Sequence, residues 1–476
     1  MYFEQFYLTC LAHASYMIGS QGEGVVVDPQ RDVDIYLKAA EEQNLEIRHI
    51  FETHLHADFV SGHKELAART GATIYIGAEA KAGFPHSALH DGDEVRVGTV
   101  RIRALATPGH TPEGMCFVIT DEEASTKDLS GLEHPYCVLT GDTLFIGDVG
   151  RPDLSPAHTP QQLAGLLYDS LHKKLLALPD ATLVYPAHGA GSLCGRAMRA
   201  EKSSTIGTER LTNYALQIPN REEFIRQLTA NLPTRPNYFA EDAEINRSGA
   251  GALAELGLLA GISPEEVQMR ERQGAWVLDV RSGDEFAVAH VPGSVNIALS
   301  GQFASWAGAI LGIHSNPILV GDTETQIEEA RMRLARVGIE ELQGYLEGGI
   351  AGWQKAGLPV LSTPQISAQE LGEQAGKGSN RGVTVLDVRR EGEWQTGHIA
   401  GAKWHALDAF PKALPQLDGD LRLAVHCKSG YRSMIACSLL ERAGHRNVVN
   451  VAGGFDAWRN AGLPEVVPED PELSAR

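Results

Sequence analysis

Short apolar runs punctuate the first half of the chain. GVVVDP, IRHIFETH, ATIYIG, EVRVGTVRIRALAT, MCFVIT, YCVLTGD and ATLVYPAH all read as strands. Several lead into helical stretches such as HKELAART, which Gly71 closes. The pattern predicts a layered α/β domain with much antiparallel sheet. Its end is expected near residue 245, after a polar helical tail running from Met198 to Phe239.

The second half repeats itself. LDVRSGDEFAVAHVPGSVNIAL from Leu278 matches LDVRREGEWQTGHIAGAKWHAL from Leu386, and EGGIAGWQKAGLP from Glu347 matches AGGFDAWRNAGLP from Ala452. The starts lie 108 residues apart (278 to 386) and the ends 105 (347 to 452). Each copy is therefore expected to be a small domain, over 255–362 and 364–470. Within a copy, WVLDV or TVLDV is followed by PILV or RLAV, a loop, an amphipathic helix and a strand ending at Gly-Gly. Strands alternating with helices predict a parallel sheet covered on both faces.

Composition narrows the classes. Hydrophobic residues make up 43% of the 476 and charged residues 21%, as in chains with ordinary cores. The net charge of −20 is spread along the chain and argues against nucleic acid, which needs a clustered basic surface. The opening residues lack the basic and apolar regions of a signal peptide, and no window is apolar enough for a membrane span. Six cysteines (10, 116, 137, 194, 427 and 437) are too sparse for a disulfide framework, so a reducing cytoplasm is expected.

Four pieces carry metal chemistry: Thr53-His54-Leu55-His56-Ala57-Asp58-Phe59, Pro108-Gly109-His110-Thr111-Pro112, Gly141-Asp142-Thr143 and Tyr185-Pro186-Ala187-His188-Gly189. Each follows an apolar strand, so loops at one sheet edge can bring His and Asp donors together for Fe, Zn or Mn. These pieces resemble the metallo-β-lactamase superfamily, which implies an αββα sandwich over roughly residues 1–245. The superfamily's HxHxDH pattern builds a two-metal hydrolytic site. Here Phe59 stands at its last position, and Phe cannot ligate, so a single metal is expected. With GDTLFIGDVGRPDL, the match narrows to the persulfide dioxygenases. That resemblance implies one Fe(II) per chain on His54, His110 and Asp142, with His56, Asp58 and His188 around the ligands. It also makes Arg151 a candidate contact for a substrate carboxylate, with a structural salt bridge as the alternative. Cys194, six residues after His188, either guides sulfur at the mouth of the site or is a buried core thiol.

The second signal is the loop Cys427-Lys428-Ser429-Gly430-Tyr431-Arg432, delivered by the strand RLAVH and followed by a helix. Inward backbone N–H groups, the helix N-terminus and the two cations favour a thiolate and an anionic persulfide. This resembles the active loop of rhodanese-like domains, and two such α/β domains are expected. Four residues separate Cys427 from Arg432, where a related phosphatase loop has five, which suits sulfane sulfur. In the first copy Gly321 takes the thiol's place, and VGDTETQ brings Asp322 and Glu324 where an anion would sit. That copy is expected to be catalytically dead, a spacer or docking domain.

The combined reading is an enzyme of sulfide detoxification. It would oxidise small thiol persulfides with O2 to sulfite at iron and form or use thiosulfate at Cys427. The fusion would raise the effective concentration of a shared intermediate. No nucleic-acid or membrane partner is expected, and a homo-oligomer is left open. The rivals are a Zn-dependent thioester hydrolase of glyoxalase II type, against which Phe59 counts, and a non-enzymatic sulfur carrier or sensor.

Overall fold

Every apolar run quoted above forms a strand, from Glu23–Val27 to Leu183–Pro186. The computed structural model describes residues 1–476 except 125–133, 231, 233, 377–382, 416–421 and 469–476. Inter-residue contacts divide the chain into two compact units, Met1–Leu256 with Ala335–Gly338, and Gly257–Leu334 with Ile339–Arg476.

The first unit holds two six-stranded sheets. One runs in chain order from Tyr2–Leu8 to Ser87–Leu89, the other from Glu94–Val97 to Ser204–Thr205. Their inner faces meet in a core that includes Tyr16, Val25, Phe51, Ile102, Phe117 and Leu139. Helices Asp34–Glu42 and His63–Thr70 cover the outer face of the first sheet, around Val26, Ile50 and Leu66. Helices Pro160–Lys173, Ile206–Thr212 and Arg221–Thr229 cover the second, around Val138, Leu167, Val184 and Phe224. This is the expected αββα sandwich.

The polar tail from Met198 to Phe239 holds helices Ile206–Thr212 and Arg221–Thr229, and helix Phe239–Ser248 carries the chain past residue 245. Phe224, Leu228 and Phe239 turn inward and are buried, because a one-sided apolar stripe suffices to dock an otherwise charged helix.

The second unit contains two five-stranded sheets with the same layout. In the first, Gly261–Ile262, Gly344–Leu346, Ile318–Val320, Val277–Asp279 and Val295–Asn296 lie side by side and parallel. The order in the second is Gln365–Ile366, Val448–Val451, Arg422–His426, Val383–Asp387 and Lys403–Trp404, again all parallel. The central strands are mostly apolar, as sheets covered on both faces require, with polar residues such as Asp279, Asp387 and His426 at their ends. Gly321 follows Ile318–Val320 as Cys427 follows Arg422–His426, which agrees with the alignment of the copies. Among the described residues, no helix is long and apolar enough to cross a membrane.

Candidate metal centre and thiol loop

Four strands of the sandwich end at the same place. Glu46–Phe51 leads to His54, Val100–Ala106 to His110, Cys137–Gly141 to Asp142, and Leu183–Pro186 to His188. Donor atoms of His54, His110 and Asp142 lie within 4.8 Å of one another, and all three residues are buried. Asp142 Oδ2 is 3.8 Å from His54 Nε2 and 3.4 Å from His110 Nε2. Among the described residues, His54 Nε2 and Asp142 Oδ2 are buried with no hydrogen-bond partner. Leaving such an atom unmatched costs about 1–3 kcal/mol, and a cation between them would satisfy them all.

The protonation states suit a cation. Burial lowers His54 well below the ordinary histidine value and also lowers His110, so both rings are neutral donors. Burial alone would raise Asp142, but His188, His54 and His110 outweigh it and hold the carboxyl well below its usual range. The other ring nitrogens are already engaged. His54 Nδ1 lies 2.9 Å from Thr53 Oγ1, which donates to Asp28 Oδ2, and His110 Nδ1 donates to the Arg151 carbonyl at 2.9 Å. Both Nε2 atoms therefore point at Asp142. Thr53, His54, His110, Met115, Asp142 and Thr143 line a small cavity there.

The remaining candidates surround this face. His188 bridges two carboxylates, Nδ1 to Asp142 Oδ1 at 2.7 Å and Nε2 to Asp58 Oδ2 at 3.0 Å. Burial would lower this imidazole, but the two carboxylates raise it well above its ordinary value. His56 Nε2 faces Asp28 at 3.2 Å and Glu52 at 3.6 Å. Cys194 is buried, with Sγ grouped with donor atoms of Asp142 and His188. Burial, and then the charges of Asp58 and Asp142, push its thiol well up. Arg151 is only 4% exposed, and its guanidinium is bidentate on Asp153 at 2.7 and 2.8 Å. The guanidinium is thus paired within the chain.

Sequence reasoning missed the groups that hold the ligand loop. Asn246 donates to the carbonyls of His56 and Phe59 and accepts from Ser61 N, at 2.7, 2.7 and 2.8 Å. Glu113 accepts from Leu55 N. Asp28 accepts from Thr53 N while held at φ 51°. Asp28 ends an apolar strand as the ligands do, which was a usable signal, whereas nothing in the sequence pointed to Asn246. His13 also packs here, its ring 4.1 Å from that of Phe59 and both nitrogens without a hydrogen-bond partner among the described residues.

In the thiol loop, Gly430 N donates to Cys427 Sγ at 3.1 Å. The carbonyls of Cys427 and Lys428 are taken by Phe455 N and Asp456 N at 2.8 and 2.9 Å. That contact needs Gly454, whose φ is +55° and where a Cβ would sit 2.5 Å from the Cys427 oxygen. The Gly-Gly pair of the repeat is thus explained. Arg432 is bidentate on Glu393 at 2.6 and 2.7 Å, so it braces the loop. Lys428 and Ser429 are exposed at its tip, and Tyr431 donates to the Ala298 carbonyl.

Comparison with known proteins agrees with this geometry. Residues 8–124 match the model of the metallo-beta-lactamase superfamily, and residues 263–356 and 367–461 that of the rhodanese-like domain. A crystal structure of a metallo-beta-lactamase from Staphylococcus aureus is similar at a TM-score of 0.63 and 32% identity, covering 73% of this chain and 98% of that one. The mitochondrial persulfide dioxygenase ETHE1 of Bos taurus is 29% identical over 46% of this chain and 77% of its own length. A hydroxyacylglutathione hydrolase of Rhodospirillum rubrum is 29% identical over 53% of this chain and 88% of its own. The chain belongs to the metallo-β-lactamase superfamily and carries two rhodanese-like domains C-terminal to that fold.

Two outcomes follow from the local geometry. A Cβ at Gly150 would sit 2.0 Å from the Asp142 carbonyl oxygen and 2.8 Å from His110 Nδ1. Gly150→Ala should therefore displace Asp142 and weaken metal retention about 10- to 100-fold, as changes beside ligands do. Equilibrium dialysis against a chelator measures it. The second concerns Glu393. Burial would raise its carboxyl, but Arg432 outweighs that and holds it low. A depressed carboxyl contributes stability in full above its unfolded value of about 4.3 and loses it as pH falls through the lower folded value. Acid unfolding followed by tryptophan fluorescence should be less pH-dependent in Glu393→Gln than in wild type.

Proposed function

We propose that this chain oxidises low-molecular-weight thiol persulfides at a mononuclear iron and transfers sulfane sulfur at Cys427. The observation that carries the proposal is the buried group of His54, His110 and Asp142 at a small cavity, with Phe59 at the last position of the two-metal pattern. Two neutral imidazoles and one carboxylate on one side of a cavity suit Fe(II). An iron there would supply the centre at which O2 and the terminal sulfur react. Overall, one persulfide, one O2 and one water become thiol, sulfite and two protons. Persulfide dioxygenases among the relatives support the same sulfur-metabolising class.

The chain's own groups have separate tasks. Thr53 Oγ1 and the Arg151 carbonyl fix the two histidine rings. His188 holds protons on both nitrogens, toward Asp142 and Asp58, and so orients the Asp142 carboxylate. Cys194 is assigned to the sulfur path, beside Asp142 and His188. Arg151, already paired with Asp153, holds the turn that presses Gly150 against Asp142, so the substrate's anionic end is recognised elsewhere. At the other site, Gly430 N receives the charge of a persulfide on Cys427. Six free, buried cysteines suit a reducing compartment such as the cytoplasm.

Two measurements test the proposal. Anaerobically prepared protein should contain one iron per chain and take up O2 when given a preformed small-thiol persulfide, and His110→Ala should lose both. Two zinc ions per chain with thioester turnover would favour the hydrolase reading, which the hydroxyacylglutathione hydrolase relatives keep in view. Cys427→Ser should keep O2 uptake on preformed persulfide but fail when thiosulfate plus thiol is the only sulfur source, because a hydroxyl is no substitute for the thiolate. Loss of O2 uptake with preformed persulfide, at full iron, would place Cys427 in the oxidation step and reject the division of labour.

A further inference from the structure

The helix Tyr431–Arg442, which carries the end of the thiol loop, is buried at every position from Ser433 to Leu440. A helix lying on one sheet needs burial on one face only. The equivalent helix of the Cys-less copy, Glu324–Ala335, behaves that way, burying Ile327, Ala330, Leu334 and Ala335 while its acidic positions stay exposed. The difference arises because Tyr431–Arg442 is covered twice. Its own strands Arg422–His426 and Val448–Val451 lie on one side, and strand Val295–Asn296 of the Cys-less copy on the other.

The second cover is bonded as well as packed. At the N-terminal end, Tyr431 donates to the Ala298 carbonyl at 2.8 Å, and its ring lies against Gly301, where a Cβ would be 3.4 Å away. Midway, Ser438 Oγ accepts from Asn296 N at 3.1 Å. At the C-terminal end, Arg442 donates to the carbonyls of Gly293, Gly274 and Ala275 at 2.6, 3.2 and 3.3 Å. Its guanidinium lies 4.6 Å from the centre of the Trp276 ring. A mere spacer needs none of these contacts.

We infer that the Cys-less copy is a working part of the thiol site: it clamps both ends of the helix Tyr431–Arg442 and thereby holds Gly430 N on Cys427 Sγ. The link is covalent and short, since Tyr431 directly follows Gly430, whose φ of +104° sets the turn. Tyr431, Ser438 and Arg442 are positioning residues. The inference rests on the proposed role of Cys427 as sulfur carrier.

The test uses the full-length protein with Tyr431→Phe, Arg442→Met, Trp276→Leu and the double variant Trp276→Leu/Arg442→Met. Sulfur transfer from thiosulfate to cyanide is measured together with hydrogen exchange of backbone amides. Each single variant should lower kcat about 5- to 50-fold with KM for thiosulfate changed less than about twofold, the effect of a misplaced donor and not of lost binding. Exchange over residues 428–434 should speed up, while strands Val383–Asp387 and Arg422–His426 keep their protection. The double variant should be little worse than its worse parent, because both changes break one contact. Wild-type kcat and loop exchange in Tyr431→Phe and Arg442→Met would overturn the inference. So would loss of protection across the whole sheet, since the copy would then support the fold and not the loop. Cys427→Ser in the same assay separates the two ideas: activity there would remove the carrier role itself, and inactivity leaves that role standing whatever the clamp variants do.

Discussion

Buried donor atoms without partners are the constraint on which the N-terminal fold turns. His54 Nε2 and Asp142 Oδ2 are buried and make no hydrogen bond among the described residues. Folding would gain by swinging them toward other groups, so the backbone around them has to be held. Asn246 and Glu113 hold the His54 loop by its own peptide groups. Gly150 lets the following turn press on the Asp142 carbonyl, where any side chain would collide. The sheets supply the rigid strand ends, and these contacts fix what leaves them.

On the proposed role of Cys427, the thiol site faces the opposite problem, since it would supply donors to an anion. A tight loop has both N–H and C=O groups, and the C=O groups would repel a persulfide. Here the carbonyls of Cys427 and Lys428 are drawn away by Phe455 N and Asp456 N, leaving Gly430 N for the sulfur. The Gly-Gly pair before that helix makes this approach feasible. The same approach occurs in the Cys-less copy, where a Cβ on Gly349 would lie 2.7 Å from the Gly321 oxygen. That copy keeps the close glycine approach without the thiol.

The sandwich and both rhodanese-like sheets were legible in the sequence because strands buried on a face are apolar wherever they occur. The candidate metal donors stood out for the same reason: each is a His or Asp just past such a strand. The two opening strands were not: Tyr2–Leu8 lies half-buried at a sheet edge, and the buried His13–Ser20 mixes His, Ser and Gly with its apolar residues. Nor was Asn246, whose partners lie 185 to 190 residues away. Arg151 shows the limit of motif reading. Its partner Asp153 stands two residues on, inside the same motif, and the bidentate geometry that joins them cannot be read from the sequence.

The two rhodanese-like copies differ where function would require it and agree elsewhere. Both bury an Asp–Arg pair at the end of the first long strand, Asp279 with Arg281 and Asp387 with Arg389, each arginine also donating to a loop carbonyl. A buried pair of this kind adds little net stability but strongly fixes geometry, since removing one partner strands the other charge. It fixes how the chain leaves the sheet in both copies. The loops then diverge: three residues, Gly321 to Thr323, precede the helix in one copy, and four, Cys427 to Gly430, in the other. With one residue fewer and no sulfur, the first loop has no anion to cradle, and its acidic residues face no penalty. The part of the Cys-less copy that still meets the chemistry is therefore its opposite edge, where Val295–Asn296 and Ala298 lie against the helix behind Cys427. A domain that has lost its own nucleophile can in this way still determine how well its neighbour's is held.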